Sequence, residues 1–193
     1  MSFINNIKIK NRLILMLIFP IAGLVYFSVN GVLEKSVLSN NMRAVENLSS
    51  LAVKVSALAH ELQKERGASA VFLGSVGTEF VSEVSRQRQE TDRKLADLQI
   101  FLKGFDADRF GAGFKGKLDI ALTNIDAIKG KREAIDRLRI SGNEAINYFE
   151  NTIASSLDVV ADISTLSSST EITIMTAAYV NFLLAKERVG RER

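Results

Sequence analysis

The stretch LSSLAVKVSALAHELQKERGASA, Leu48 to Ala70, decides the fold class. Its apolar positions Leu48, Leu51, Val55, Leu58 and Leu62 are spaced alternately by three and four residues, which puts them on one stripe of an α-helix. Two glycines in GSVG, Gly74 to Gly77, end the pattern. Continued past Leu62, the same stepping reaches Arg66 and then Ser69, so a guanidinium falls on the stripe meant for the interior. The residues three and four positions from Arg66 are Leu62, Gln63, Ser69 and Ala70, and none is acidic.

The helical period continues outward from this segment. A second stripe passes through Phe80, Val84, Thr91, Leu95, Leu98 and Leu102 and closes at Gly104. Arg88 lies on it, with Asp92 four residues on as a local partner. The run GFDADRFGAG reads as a loop in which Asp106 or Asp108 caps the next helix. A third stripe takes Leu118, Leu122, Ile125, Ile128, Ile135 and Leu138 and ends at Ser141–Asn143, and a fourth takes Ile146, Phe149, Ile153, Leu157, Val160 and Ile163. Ser167 to Ser169 break the pattern before a fifth helix, Thr170 to Arg193. No segment has a strand period bounded by turn residues. The expected class is all-α, an antiparallel helical bundle of the four-helix type with short connections. The fifth helix is apolar on nearly all sides from Ile172 to Ala185 and wants partners all round, so the bundle is expected to be incomplete at its C-terminus.

The N-terminus has a different composition. Lys8, Lys10 and Arg12 are the only charged side chains before Glu34, and between them and Glu34 stands LILMLIFPIAGLVYFSVNGVL, 21 uncharged residues. A helix of that length reaches about 30 Å, the hydrocarbon thickness of a bilayer. The basic flank places the N-terminus on the cytoplasmic side. A cleaved signal peptide is the rival reading, but the run is long for one and no Ala-x-Ala site follows. The expected organisation is a cytoplasmic basic segment 1–12, an inner-membrane helix 13–33, and a helical sensory domain 34–193 on the periplasmic or extracellular side.

Composition excludes several chemistries. The chain has 193 residues, 47% of them hydrophobic, enough for a real core. It has no cysteine and a single histidine, His60, so disulfides, thiolate metal sites and zinc or haem sites built from several Cys/His ligands all lack parts. His60 reads as a helix-surface or half-buried side chain, and the Asp106–Asp108 run lacks the glycine and terminal glutamate of a calcium loop. No catalytic group, metal or cofactor is expected. The three N-terminal basic residues account for the whole formal charge of +3, which leaves no basic face for nucleic acid.

Arginine is then the side chain to weigh. In KERVGRER, Lys186 to Arg193, Arg188 has Glu192 at four and Arg191 has Glu187 at four, while Arg193 has Val189 and Gly190 behind it and no acid within reach. Arg66 and Arg193 are thus the two arginines on interior stripes without a local carboxylate. Such a guanidinium finds an acid on another helix, a carbonyl, water or an anion. Gly67, Ala68, Ser69, Ala70 and Gly190 are small enough to let a neighbouring helix approach, and a planar fork of N–H donors fits a planar oxyanion. The competing reading is a structural salt bridge to a glutamate across the interface.

LQKERGASAVFLGSVGTEF at 62–80, QRQETD at 87–92 and LLAKERVGRER at 183–193 together resemble the nitrate- and nitrite-sensing (NIT) domain, found in bacterial methyl-accepting chemotaxis receptors and related sensors. The resemblance spans about Leu48 to Arg193. It implies an all-helical sensory domain of two stacked bundles that binds nitrate or nitrite at their junction through arginines. The family's Glu-Arg-Gly motif falls on Glu65, Arg66 and Gly67, and its later motif falls on Lys186, Glu187, Gly190, Glu192 and Arg193, with Val189 where alanine is usual. Arg66 and Arg193 are the implied ligand-binding pair, supported by Glu65, Gly67, Ser69, Arg88, Glu187, Arg188 and Gly190. The remaining helices, a second membrane span and a signalling module would follow Arg193. The expectation is the input part of a homodimeric membrane chemoreceptor and no enzyme. Its alternatives are a sensor-kinase input domain or an anchored helical scaffold whose arginines close salt bridges without a ligand.

Overall fold

The computed structural model describes the backbone of residues 9–166, and the side chains within it except at 9–16, 19, 37, 38, 40 and 41. Helices are the only regular elements among the described residues. They are α1 (Ile9–Gly74), α2 (Val81–Leu102), α3 (Ala112–Asp126), α4 (Ile128–Asp136) and α5 (Gly142–Leu166), with a single 3-10 turn at Asp108–Phe110. The all-α expectation holds. The fifth helix expected at 170–193 lies outside the described residues.

The chain divides into two units, Met1–Val45 and Glu46–Arg193. In the first, α1 carries Pro20 within it, which removes one backbone donor from the ladder. Leu17, Ile18, Ile21, Leu24, Val25, Tyr26, Phe27, Val29, Val32 and Leu33 are all exposed there. The transmembrane helix expected at 13–33 is not found: among the described residues no helix is long and apolar enough to cross a membrane. Residues 13–16 and 19 of that stretch are among those whose side chains lie outside the description.

In the second unit, the stripe of α1 becomes the centre of one core. Leu48, Leu51, Val55, Leu58 and Leu62 are buried and pack with Leu98 of α2, Leu118 and Ile125 of α3, Ile128 and Ile135 of α4, and Phe149, Ile153 and Val160 of α5. Each such side chain contributes about 2 kcal/mol of transfer free energy. Antiparallel packing of α3 and α5 is recorded by cross-links at both ends. The Tyr148 hydroxyl donates to the Asn124 carbonyl at 2.8 Å, Asn124 donates to Ser155 at 3.0 Å, and Lys117 pairs with Asp162.

Helix α1 ends at Gly74, where the glycines of GSVG foretold it. The turn is closed by Gly77 N–H donating to the Phe72 carbonyl at 2.8 Å and Val76 N–H to that of Leu73 at 3.1 Å, the paired bonds of a Schellman ending. Val76, at φ 55°, occupies the left-handed position that glycine usually takes. Phe80, expected on the second stripe, is instead left-handed at φ 59° and 43% exposed, and it precedes α2 rather than packing in it.

The third stripe is split between α3 and α4 at Ala127, and it stops short of Leu138, which is exposed at φ 51°. Neither Asp106 nor Asp108 caps α3: Gly111 precedes it without a side-chain bond, and Asp108 accepts from Lys115 at 3.1 Å. The loop between α2 and α3 is packed by its own aromatics. Phe105 stacks on Phe110 with centroids 5.4 Å apart, and both meet Phe114. Helix α5 opens with a capping box, since Glu144 N–H donates to Ser141 Oγ at 3.2 Å and Ser141 N–H to Glu144 Oε2 at 3.0 Å.

Candidate anion site

The buried face of α1 changes character one turn after Leu62. Glu65 and Ser69 have no exposed surface at all, and Arg66 is only 8% exposed. The stepping that placed Arg66 and Ser69 on the interior side is correct, although consecutive side chains on a helix point about 100° apart, so Glu65 and Arg66 face different neighbours. Arg66 faces α5, its Nη1 3.6 Å from Glu150 Oε1. That distance is an ion pair and longer than a hydrogen bond. A cross-interface glutamate therefore stands where the salt-bridge reading expects one.

Glu65 faces α2 and α4. Arg132 of α4 binds it side-on, Nε to Oε1 at 2.7 Å and Nη2 to Oε2 at 2.9 Å, and places Nη1 2.6 Å from Asp92 Oδ1 of α2. Burial works against the Arg132 charge, but the hydrogen bond and charge of Glu65, then those of Asp92, outweigh it and raise its pKa above the ordinary arginine value. Arg88 does not take Asp92 as its local partner, because Arg132 already holds that carboxylate. It crosses to α4 instead, with Nη1 2.8 Å from Asp136 Oδ1. The remaining edge of Arg88, Nε and Nη2, is buried without a hydrogen-bond acceptor, Nε lying 3.9 Å from Glu65 Oε1. The Ser69 hydroxyl is likewise buried with no partner.

Two further groups border this network. Tyr148 of α5 has its pKa pushed up to about 12, first by burial, with the Thr152 hydrogen bond opposing, the nearby Glu65 charge adding to the rise and the Arg132 charge countering it. On the outer side, Gln87 donates to Glu61 Oε2 at 2.7 Å and to the Glu61 carbonyl at 3.2 Å, while Lys64 donates to both carboxylate oxygens. Burial tends to raise the Glu61 pKa, but the Gln87 and Lys64 bonds prevail and lower it. Glu61, Lys64, Arg86, Gln87, Glu90 and Arg93 line an open cleft of about 510 Å³.

Of the residues expected at the site, Glu65, Arg66 and Ser69 share a buried turn of α1, and Arg88 Nε comes within 3.9 Å of Glu65. Gly67 is exposed, and a Cβ there would meet nothing within 4 Å, so no described helix makes the close approach expected at that glycine. Arg193, Glu187, Arg188 and Gly190 lie outside the described residues. His60 is half-buried as expected, and no group of metal-ligating side chains occurs among the described residues. Arg132 was not among the expected residues. Its signal was present: Ile128 and Ile135 on the third stripe are seven apart, and the stepping of four and three between them lands on Arg132.

A profile of the family described as nitrate and nitrite sensing matches residues 57–193. The chain is 27% identical over 143 residues to the nitrate regulatory protein of Klebsiella oxytoca, an overlap that takes in 74% of this chain and 36% of that protein. Its fold is similar to that of the NasR transcription antiterminator, with a TM-score of 0.76 and 23% identity over 89% of this chain and 45% of the other. The chain thus spans less than half the length of either relative. Neither is named as a chemotaxis receptor.

Proposed function

We propose that this chain, which belongs to the nitrate and nitrite sensing family, recognises nitrate, nitrite or a similarly small planar oxyanion through Arg66. The observation that carries the reading is the polar turn of α1. There Arg66 is buried against α5 and the Ser69 hydroxyl one turn on is buried without a partner, while on the α2 side the edge of Arg88 nearest Glu65 also lacks an acceptor. Buried donors without acceptors are rare in folded proteins and mark places where a ligand or water completes the bonding. A guanidinium edge offers two parallel N–H groups at the spacing of two oxygens in a planar anion. Arg193 is the second arginine of the clamp in this reading.

Recognition rather than catalysis is the role, with occupancy of the clamp favouring one arrangement of α1 against its neighbours. The signal passes to an output module of a longer protein, in a homodimeric receptor or in a regulator like the relatives named above. The uncharged run 13–33 after Lys8, Lys10 and Arg12, with its exposed apolar residues from Leu17 to Leu33, supports an anchor in the inner membrane. The absence of native cysteine makes this testable by single-cysteine labelling from either side. Labelling of a cysteine introduced at Ser2 and of one at Ser141 from the same side of intact cells sinks the anchor.

Titration calorimetry of the purified chain with sodium nitrate and sodium nitrite, with chloride as control, tests the anion reading. Saturable heat is expected, weakened about tenfold or more in Arg66→Lys, which keeps the charge and loses the fork. The second reading, a scaffold in which Arg66 only closes its ion pair with Glu150, is what remains if neither anion gives heat.

A further inference from the structure

We propose that Arg132 is a positioning residue for anion recognition: its bidentate pair with Glu65 cancels the fully buried carboxylate that adjoins Arg66. The inference rests on the nitrate and nitrite reading above. Glu65 has no exposed surface, so water cannot screen its charge, and in a poorly polarisable interior such a charge acts over many ångströms. Left alone it would compete with an anion for the Arg66 guanidinium and repel the anion as well.

Arg132 removes both effects. It occupies both Glu65 oxygens, at 2.7 and 2.9 Å, which turns the carboxylate toward α2 and α4 and away from the α5 side where Arg66 sits against Glu150. It is itself fixed by Asp92 at 2.6 Å and by the Arg88 carbonyl at 3.5 Å, so one guanidinium from α4 sets the carboxylate of α1 against α2. Glu65 and Arg66 are consecutive in α1, so the carboxylate and the guanidinium lie within electrostatic range of each other. Arg132 needs no contact with the ligand for this role, since it acts through Glu65.

Titration calorimetry of the full chain with sodium nitrate separates this role from a purely structural one, with folding followed by circular dichroism. Arg132→Gln is expected to bind nitrate about tenfold more weakly, because Glu65 then loses its bidentate partner and keeps only Arg88 at 3.9 Å. Glu65→Gln is expected to bind more tightly than the parent, since the buried negative charge beside Arg66 is gone while Arg132, held by Asp92, remains. The double variant Glu65→Gln/Arg132→Gln is expected to return to within about threefold of the parent, the signature of a coupled pair. Nitrate binding in a folded Arg132→Gln that equals the parent overturns the inference and leaves the anion reading standing. Weaker binding in Glu65→Gln overturns it too, and that arm holds even where Arg132→Gln does not fold. A parent chain that gives no heat with nitrate or nitrite ends both.

Discussion

Two consecutive parts of the buried face of α1 solve opposite problems. From Leu48 to Leu62 the face is mostly hydrocarbon, interrupted by the buried Ser56 and, at its end, by Glu61, and its neighbours in α2, α3, α4 and α5 are hydrocarbon as well. From Glu65 to Ser69 the same depth holds a carboxylate, a guanidinium and a hydroxyl. The first part tolerates any side chains of suitable volume, because dispersion and the hydrophobic effect are not directional. The second depends on donors and acceptors being in particular places. Charge is concentrated in the second part, whereas a buried hydroxyl without a partner occurs in both, at Ser56 and at Ser69.

The comparison breaks most sharply at Arg132. Arg132→Ala leaves Glu65 buried without its partner and is expected to lower unfolding free energy by about 3–5 kcal/mol, measured by chemical denaturation followed by circular dichroism. On the hydrocarbon side, Leu58→Ala is expected to cost about 3 kcal/mol through lost transfer energy and a cavity, and to leave anion affinity unchanged in the same titrations. Replacing the pair together, Glu65→Leu with Arg132→Met, extends the hydrocarbon face by one turn. Stability is then expected within about 1 kcal/mol of the parent or above it, so a large loss would show that the pair itself holds the fold. The smallest effect concerns Glu61, at the boundary between the two parts. Its pKa is depressed below the ordinary 4.5 in the folded chain, so its contribution is present above that value and is lost as pH falls through the folded one. Glu61→Gln is expected to flatten the pH dependence of stability below about 4.5 by some tenths of a kcal/mol, read from denaturation midpoints at several acid pH values.

The difference between the two parts also governs what the amino-acid sequence revealed. Hydrocarbon repeats, so the stripes through Leu48–Leu62 and Phe149–Ile163 could be read by stepping, and they found the helices that carry the core. Partner choice does not repeat. Arg88 and Asp92 stand four apart, the spacing of a local pair, yet each is claimed by α4, through Asp136 and Arg132 respectively. Nothing local to α2 announces a competitor from another helix. The break at Ala127 has no proline or glycine to mark it, whereas Ser141 and Glu144 carried a capping signal that the glycine beside them obscured. Arg66 was found because it interrupts a stripe; Arg132 interrupts one in the same way and was passed over.

Tyr148 gives this arrangement an optical handle. The chain has no tryptophan and three tyrosines, and Tyr148 is held between the Asn124 carbonyl and the Glu65–Arg132 pair, with the Lys131 ammonium 5.7 Å from its ring centroid. Burial pushes its pKa up to about 12, so its phenol is expected to ionise late in an alkaline absorbance titration. Its emission and absorbance should therefore register rearrangement of the neighbouring charges without any attached dye, making the protein its own indicator.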